Sequence, residues 1–336
     1  MKKVLCFGEL LLRYSPRLNG RWIDESSMPV YVGGAELNVA TALARWQLPV
    51  AYGTALPDHY LSQEICAHLQ GKNIDTSKMI WSGSRIGVYY LPQGADLKHA
   101  GVIYDRDHSS FAQLQPGQID WNKVLEDISW FHFSAISPAL NENAATVCKE
   151  AVEAAAANHI PVSVDLNYRA KLWQWGKEPV EVMPSLVQHC EVVMGNIWAA
   201  EKMLGIAVDP HLQREKEDFL RQAAATSQAI RTQFPKCRQV ANTFRLEQEA
   251  QLLYYGTLFS EDSLWVSKEH HTREVVDKVG SGDCFMAGLI YGNFKQSLPQ
   301  ETVDFAAAAA FDKLFVQGDA TTSPVEKIKN AYEHHA

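Results

Sequence analysis

Short apolar runs alternate along this chain with stretches in which apolar residues return every three or four positions. Residues 4–7, 50–53, 130–133, 162–164 and 192–194 are too short for helices and rich in β-branched or aromatic side chains, so they read as strands. Between them, residues 36–46 carry Leu37, Ala40, Leu43 and Ala44 on one helical stripe. Residues 61–70, 144–158 and 198–204 have the same period, the second of them rich in alanine. Strand and helix in alternation predict βαβ units, hence an α/β fold with a central, mostly parallel sheet flanked by helices. Residues 215–238 read as a helix followed by an exposed loop at Pro235. Two segments, about 10–32 and 86–106, break the rhythm. Residues 87–94 and 101–104 read as strands around a turn, so both segments are expected to form a small β-sheet lid on one domain spanning 1–336.

Composition narrows the function classes. The 336 residues are 46% hydrophobic and carry 31 basic against 39 acidic side chains, a net charge of −8. That balance argues against a nucleic-acid or anionic-membrane partner. No apolar run approaches the ~20 residues of a membrane span, and Gly8, Glu9 and Arg13 interrupt the first one before a secretory core could form. A cytoplasmic location is expected, with room left for a homo-oligomer. The six cysteines form no C-x-x-C pair and are expected to be reduced and buried or free. The histidines lack metal-ligand spacing.

Candidate chemistry concentrates in two glycine-rich turns. In Asp277-Lys-Val-Gly280-Ser281-Gly282-Asp283, glycines open an apolar helix, so successive N–H groups can turn toward an anion at the positive end of the helix dipole. Asp283, in the first turn, is expected to stay ionised and to accept a proton from an attacking hydroxyl, a phosphoryl-transfer arrangement. A plain helix start capped by Asp283 is the alternative. The second turn, Gly33-Gly34-Ala-Glu-Leu-Asn38, permits close backbone approach to a ligand and sets an amide one turn into a helix, where it can meet hydroxyl groups; an ordinary turn with Asn38 in solvent is the alternative.

Together these motifs resemble the two signatures of the PfkB, or ribokinase-like, family of carbohydrate kinases. Within it, residues 31–40 (YVGGAELNVA), 131–139 (FHFSAISPA) and 164–173 (VDLNYR followed by Leu172-Trp173) are most similar to 2-keto-3-deoxygluconate kinases. The resemblance implies ATP and a divalent cation, Mg2+ or similar, as cosubstrates, with transfer of the γ-phosphoryl group to a terminal sugar hydroxyl. It implies Asp283 as base, with Gly280, Ser281 and Gly282 as the anion hole. It also implies keto-acid contacts from Gly34, Tyr90, Tyr104, Arg106, Arg169 and Asp319.

The residues add support for an acidic substrate, because a guanidinium grips a carboxylate with two parallel hydrogen bonds. Arg169 follows a strand end, where α/β folds bind ligands. Pairing of Arg106 with Asp105 or Asp107, and of Arg169 with Asp165, is the competing reading. Tyr89 and Tyr90 alternate on a strand, so only one of them can face a ligand. The chain departs from the family pattern at Asn196, which is followed by Ala199 where N-x-x-E would place a glutamate. It departs again at Asn242-Thr243-Phe244-Arg245, which replaces a glycine-containing nucleotide segment; Thr243 and Arg245 are the candidates for its phosphates. The expected activity is phosphorylation of a sugar acid, with a neutral-sugar kinase and a non-catalytic sugar-binding regulator as alternatives.

Overall fold

Strands with both faces apolar are stable only inside a sheet covered on both sides. In the computed structural model, Lys3–Phe7, Val50–Gly53, Ile128–Ser134, Val162–Asp165 and Val192–Gly195 occupy the middle of one large sheet. The structure describes residues 2–17, 22–24, 26–93, 101–213, 215–248 and 251–333. From one edge the order is Ile74–Asp75, Val50–Gly53, Lys3–Phe7, Ile128–Ser134, Val162–Asp165, Val192–Gly195 and Gln239–Gln248, all parallel. Gln251–Ser260 and Ser263–Val266 then add antiparallel strands, and His270–Thr272 also pairs with Gln251–Ser260. Register sets Ser134 beside Asp165, Asp165 beside Met194 and Gly195 beside Asn242, so the carboxyl ends of three strands line one edge next to Asn242 of a fourth.

Helices cover both faces. Ala35–Arg45, Tyr60–Gln70, Ser281–Lys295 and Pro299–Lys313 pack into one apolar layer; Glu142–Ala157, Pro179–Val187 and Ile197–Leu204 pack into the other. The Ala306–Ala310 run is a buried face of its helix. All six cysteines are buried and free. Among the described residues no helix is long and apolar enough to cross a membrane.

A second, four-stranded sheet has the order Val30–Gly33, Leu11–Tyr14, Gly87–Tyr90, Ile103–Asp105. It is built from the two segments that break the sequence rhythm; residues 18–21, 25 and 94–100 of those segments lie outside the described residues. The expected helix and exposed loop are both present: Lys216–Gln233 is helical, and Pro235 is exposed in the turn that follows it. Beyond that turn the long antiparallel pair Gln239–Gln248 and Gln251–Ser260 extends the sheet, the first strand carrying a mixed polar pattern and the second almost wholly buried.

Candidate active site

The crevice at the carboxyl edge of the large sheet, roofed by the small one, is a cleft of about 260 Å³. Its floor is the turn before Ser281–Lys295. Gly280 caps this helix at φ 78°, and a Cβ there would overlap the carbonyl oxygen of Asp319, so the turn needs glycine. The N–H groups of Ser281, Gly282 and Asp283 open the helix and have no partner within it. The Ser281 hydroxyl points elsewhere, donating to Ala310 O at 2.9 Å, so residue 281 offers the cleft its amide.

Asp283 lines the cleft and accepts from Asn38 Nδ2 at 2.7 Å. Asn38 is therefore neither on a solvent face nor wholly available to a ligand; its buried Oδ1 has no partner among the described residues. The expectation that Asp283 stays ionised needs correcting. Burial pushes its pKa up to about 7, against the pull of Asn38 and the Arg169 guanidinium. The helix dipole favours the anion at this position, but desolvation is the larger effect.

Three more carboxyls line the cleft: Glu9, Glu36 and Asp165. Asp165, at the end of its strand, is pushed up to about 8 by burial and by the neighbouring Asp283. Glu36 is raised by burial, though its carboxylate accepts from Ser134 N at 3.0 Å, Ser134 Oγ at 2.7 Å and Ser137 Oγ at 3.0 Å.

The small sheet supplies the opposite wall. Tyr89 and Tyr104, directly opposed across two strands, both line the cleft. Tyr90 does not: it faces the other side and stacks on Tyr14 and Trp22 at centroid distances of 5.4 and 6.0 Å. Strand alternation left one tyrosine for the ligand side, and register with Leu11–Tyr14 selects Tyr89. Arg106 lines the cleft and is buried. Its partner is neither Asp105 nor Asp107 but Glu9, which accepts from Nε at 2.6 Å and also pairs with Nη2. Ser109 donates to the same carboxylate. Arg169 reaches the cleft with Nη1 on Tyr168 O at 3.0 Å and is not ion-paired to Asp165.

Gly34 borders the cleft, whereas Gly33 packs against the Asp319 carboxylate, where a side chain would collide. Asp319 itself is not in the cleft wall. One of its oxygens accepts from Tyr89 OH at 2.9 Å, and the other lies 2.8 Å from Arg13 Nε. Asn196, Thr243 and Arg245 line the same cleft, as do Trp198 and Lys278. There Asn196 caps its helix, accepting from Ala199 N at 2.8 Å, which leaves its Nδ2 for other contacts.

A glycine-capped helix start, a carboxylate beside it and a cleft roofed by a small sheet are an arrangement suited to phosphoryl transfer, and comparison with known proteins points to the same class of chemistry. Residues 1–235 match the pfkB family carbohydrate kinase family. The chain belongs to the PfkB carbohydrate kinases. It is similar to the 2-dehydro-3-deoxygluconokinase of Thermotoga maritima, with 32% identity and a TM-score of 0.88 over 98% of this chain and 99% of that one. A PfkB family carbohydrate kinase of Listeria grayi is 29% identical, with a TM-score of 0.84 over 98% and 99% of the two chains. The 2-dehydro-3-deoxygalactonokinase of Haloferax volcanii is 26% identical over 97% of this chain and 96% of its own.

As a PfkB kinase the chain gathers in its cleft Asp283, Gly280, Ser281, Gly282, Gly34, Asn38, Tyr104, Arg106, Arg169, Asn196, Thr243 and Arg245 of the residues expected from sequence. It leaves out Gly33, Tyr90 and Asp319. Sequence reasoning missed Glu9, Glu36 and Asp165 as cleft residues. A strand-end position was the available signal for Asp165; Glu9 and Glu36 had none beyond proximity to glycines.

Proposed function

We propose that this kinase transfers the γ-phosphoryl group of ATP, entering as its magnesium complex, to a terminal hydroxyl of a sugar acid of the 2-keto-3-deoxygluconate type. The observation that carries the reading is that Arg106 and Arg169 border the same cleft as Asp283 and the helix start at 280–283. A sugar carboxylate held between the guanidiniums would direct the other end of the sugar at Asp283. Asp283 takes the hydroxyl proton as the oxygen attacks the γ-phosphorus, and the 281–283 amides stabilise the charge on the moving phosphoryl group. Tyr89 and Tyr104 cover the sugar and keep water from competing for the phosphoryl group. Lys278, Arg245 and Thr243 suit the triphosphate, and half-exposed Trp198 suits a base. The names of the Thermotoga and Haloferax relatives support the same substrate class.

A neutral-sugar kinase is favoured by one observation, the neutralisation of Arg106 by Glu9. Measuring ADP release against a panel of sugar acids and neutral sugars separates the two. The proposal expects kcat/KM for 2-keto-3-deoxygluconate or its galacto epimer to exceed that for fructose or ribose by at least about 100-fold, the worth of one charge-assisted bidentate contact. Comparable values for fructose or ribose would refute it, and sugar binding without ADP release would favour the non-catalytic reading.

A further inference from the structure

Arg13 lies in the middle of the small sheet on Leu11–Tyr14, and its side chain is only 2% exposed. A guanidinium so deeply buried must be paired or it would be strongly destabilising. Its Nη2 lies 2.8 Å from Asp277 Oδ2 and its Nε 2.8 Å from Asp319 Oδ1, while its plane sits 4.4 Å from the centre of the Tyr31 ring. Asp319 accepts from the hydroxyl of Tyr89, which is in the cleft wall. Asp277 accepts from Val279 N at 3.0 Å, the amide just before Gly280, and from Gly318 N at 3.1 Å.

These contacts form one continuous path. It starts at a tyrosine over the cleft, crosses Asp319, Arg13 and Asp277, and ends on the backbone that shapes the anion turn. The Asp319 carbonyl closes the circuit by resting against Gly280. A second buried basic residue, Lys313, donates to Val316 O at 2.8 Å, and its charge acts on Asp277 and Asp319 alike.

We propose that Arg13 is a positioning residue that couples sugar binding under the small sheet to alignment of the phosphate-binding turn. The inference rests on the reading above, in which the sugar lies under Tyr89 and the phosphates lie at 280–283. Movement of the small sheet onto a sugar carries Arg13 with it, and the two carboxylates pass that displacement to Val279 and Gly280. Sugar and nucleotide should therefore bind with positive coupling through this path.

The test is a calorimetric titration of a non-hydrolysable ATP analogue with magnesium, with and without saturating 2-keto-3-deoxygluconate, on wild type, Arg13→Lys and Tyr89→Phe. Arg13→Lys keeps the charge and loses the fork. Tyr89→Phe removes only the hydroxyl and keeps the Arg13 ion pairs, so it serves if the first variant fails to fold. Wild type is expected to show coupling of roughly tenfold. Each variant should fall below about twofold and lose kcat more than it raises the nucleotide KM. Absence of coupling in wild type, or variants that lower only the melting temperature, would overturn the proposal. If wild type releases ADP with a neutral sugar but not with 2-keto-3-deoxygluconate, the substrate reading fails instead, and the same titration with that neutral sugar still decides the role of Arg13.

Discussion

Replacing Asp283 by asparagine should make the protein more stable and nearly inactive, and the two effects share one cause. Burial lifts the Asp283 carboxyl from 3.8 to about 7. Between those values the folded chain holds a proton that the unfolded chain has released, so stability falls as pH rises through the window. The loss is complete once pH exceeds the folded value. That difference corresponds to about 4 kcal/mol as an upper bound. Asparagine is neutral at every pH and its Oδ1 can still accept from Asn38, so the variant should gain between about 1 and 4 kcal/mol at pH 8 and nothing at pH 4. Losing the general base should lower kcat by about 10²- to 10⁴-fold. Denaturant unfolding at pH 4, 6 and 8, run beside the ADP-release assay, reads both. A variant that is destabilised equally at all three pH values, or that keeps wild-type kcat, would refute the reasoning.

Two further predictions concern the floor and the wall of the cleft. Gly280→Ala forces a side chain into the Asp319 carbonyl at φ 78°; the left-handed backbone alone costs about 1–2 kcal/mol. Nucleotide affinity measured by calorimetry should be lost together with thermal stability, and an Ala variant binding nucleotide normally would show that the turn is not the cradle. Arg169→Ala should raise the KM for a sugar acid by about 10- to 100-fold, the worth of a hydrogen bond to a charged group, and leave the nucleotide KM within about twofold. Arg106→Ala should act in the same direction but also leave Glu9 buried without its cation, so its melting temperature should fall as well.

The parallel half of the fold was legible because its strands are buried on both faces and therefore read as apolar runs. The pair Gln239–Gln248 and Gln251–Ser260 was not, because polar residues such as Asn242, Thr243 and Arg245 interrupt the run. The glycine turns were legible for a local reason: a helix start and its first-turn acid are neighbours in sequence. Arg13 and Asp277 are 264 residues apart, and Tyr89 and Asp319 are 230 apart. Neither partner shows a pattern of its own, so only the packing of small sheet on anion turn brings them together. The Tyr89 and Tyr90 ambiguity has the same origin. Alternation fixes that the two point apart, while pairing of Arg13 with Tyr89 across the strands decides which one faces the cleft.

Of the three cleft carboxyls without a dedicated cation, Glu36 is held by Ser134 and Ser137, which leaves Asp165 and Asp283 to divide the work of one base. Burial raises both, to about 8 and about 7. Asn38 favours the anion at Asp283, Arg169 favours it at both groups, and the Asp283 charge raises Asp165, so Asp283 is expected to ionise first. With that order the site would offer one carboxylate to receive a proton and one carboxylic acid to donate a hydrogen bond to a sugar oxygen. An amide can replace the second role but not the first. Asp165→Asn should retain most of kcat, with an acidic limb of the pH profile still near 7, whereas Asp165→Ala should raise the sugar KM by about 10-fold through the lost hydrogen bond. Steady-state rates from pH 5 to 9 for the two variants check this. If Asp165→Asn is as inactive as Asp283→Asn, both carboxyls act as anions and the division of roles is wrong.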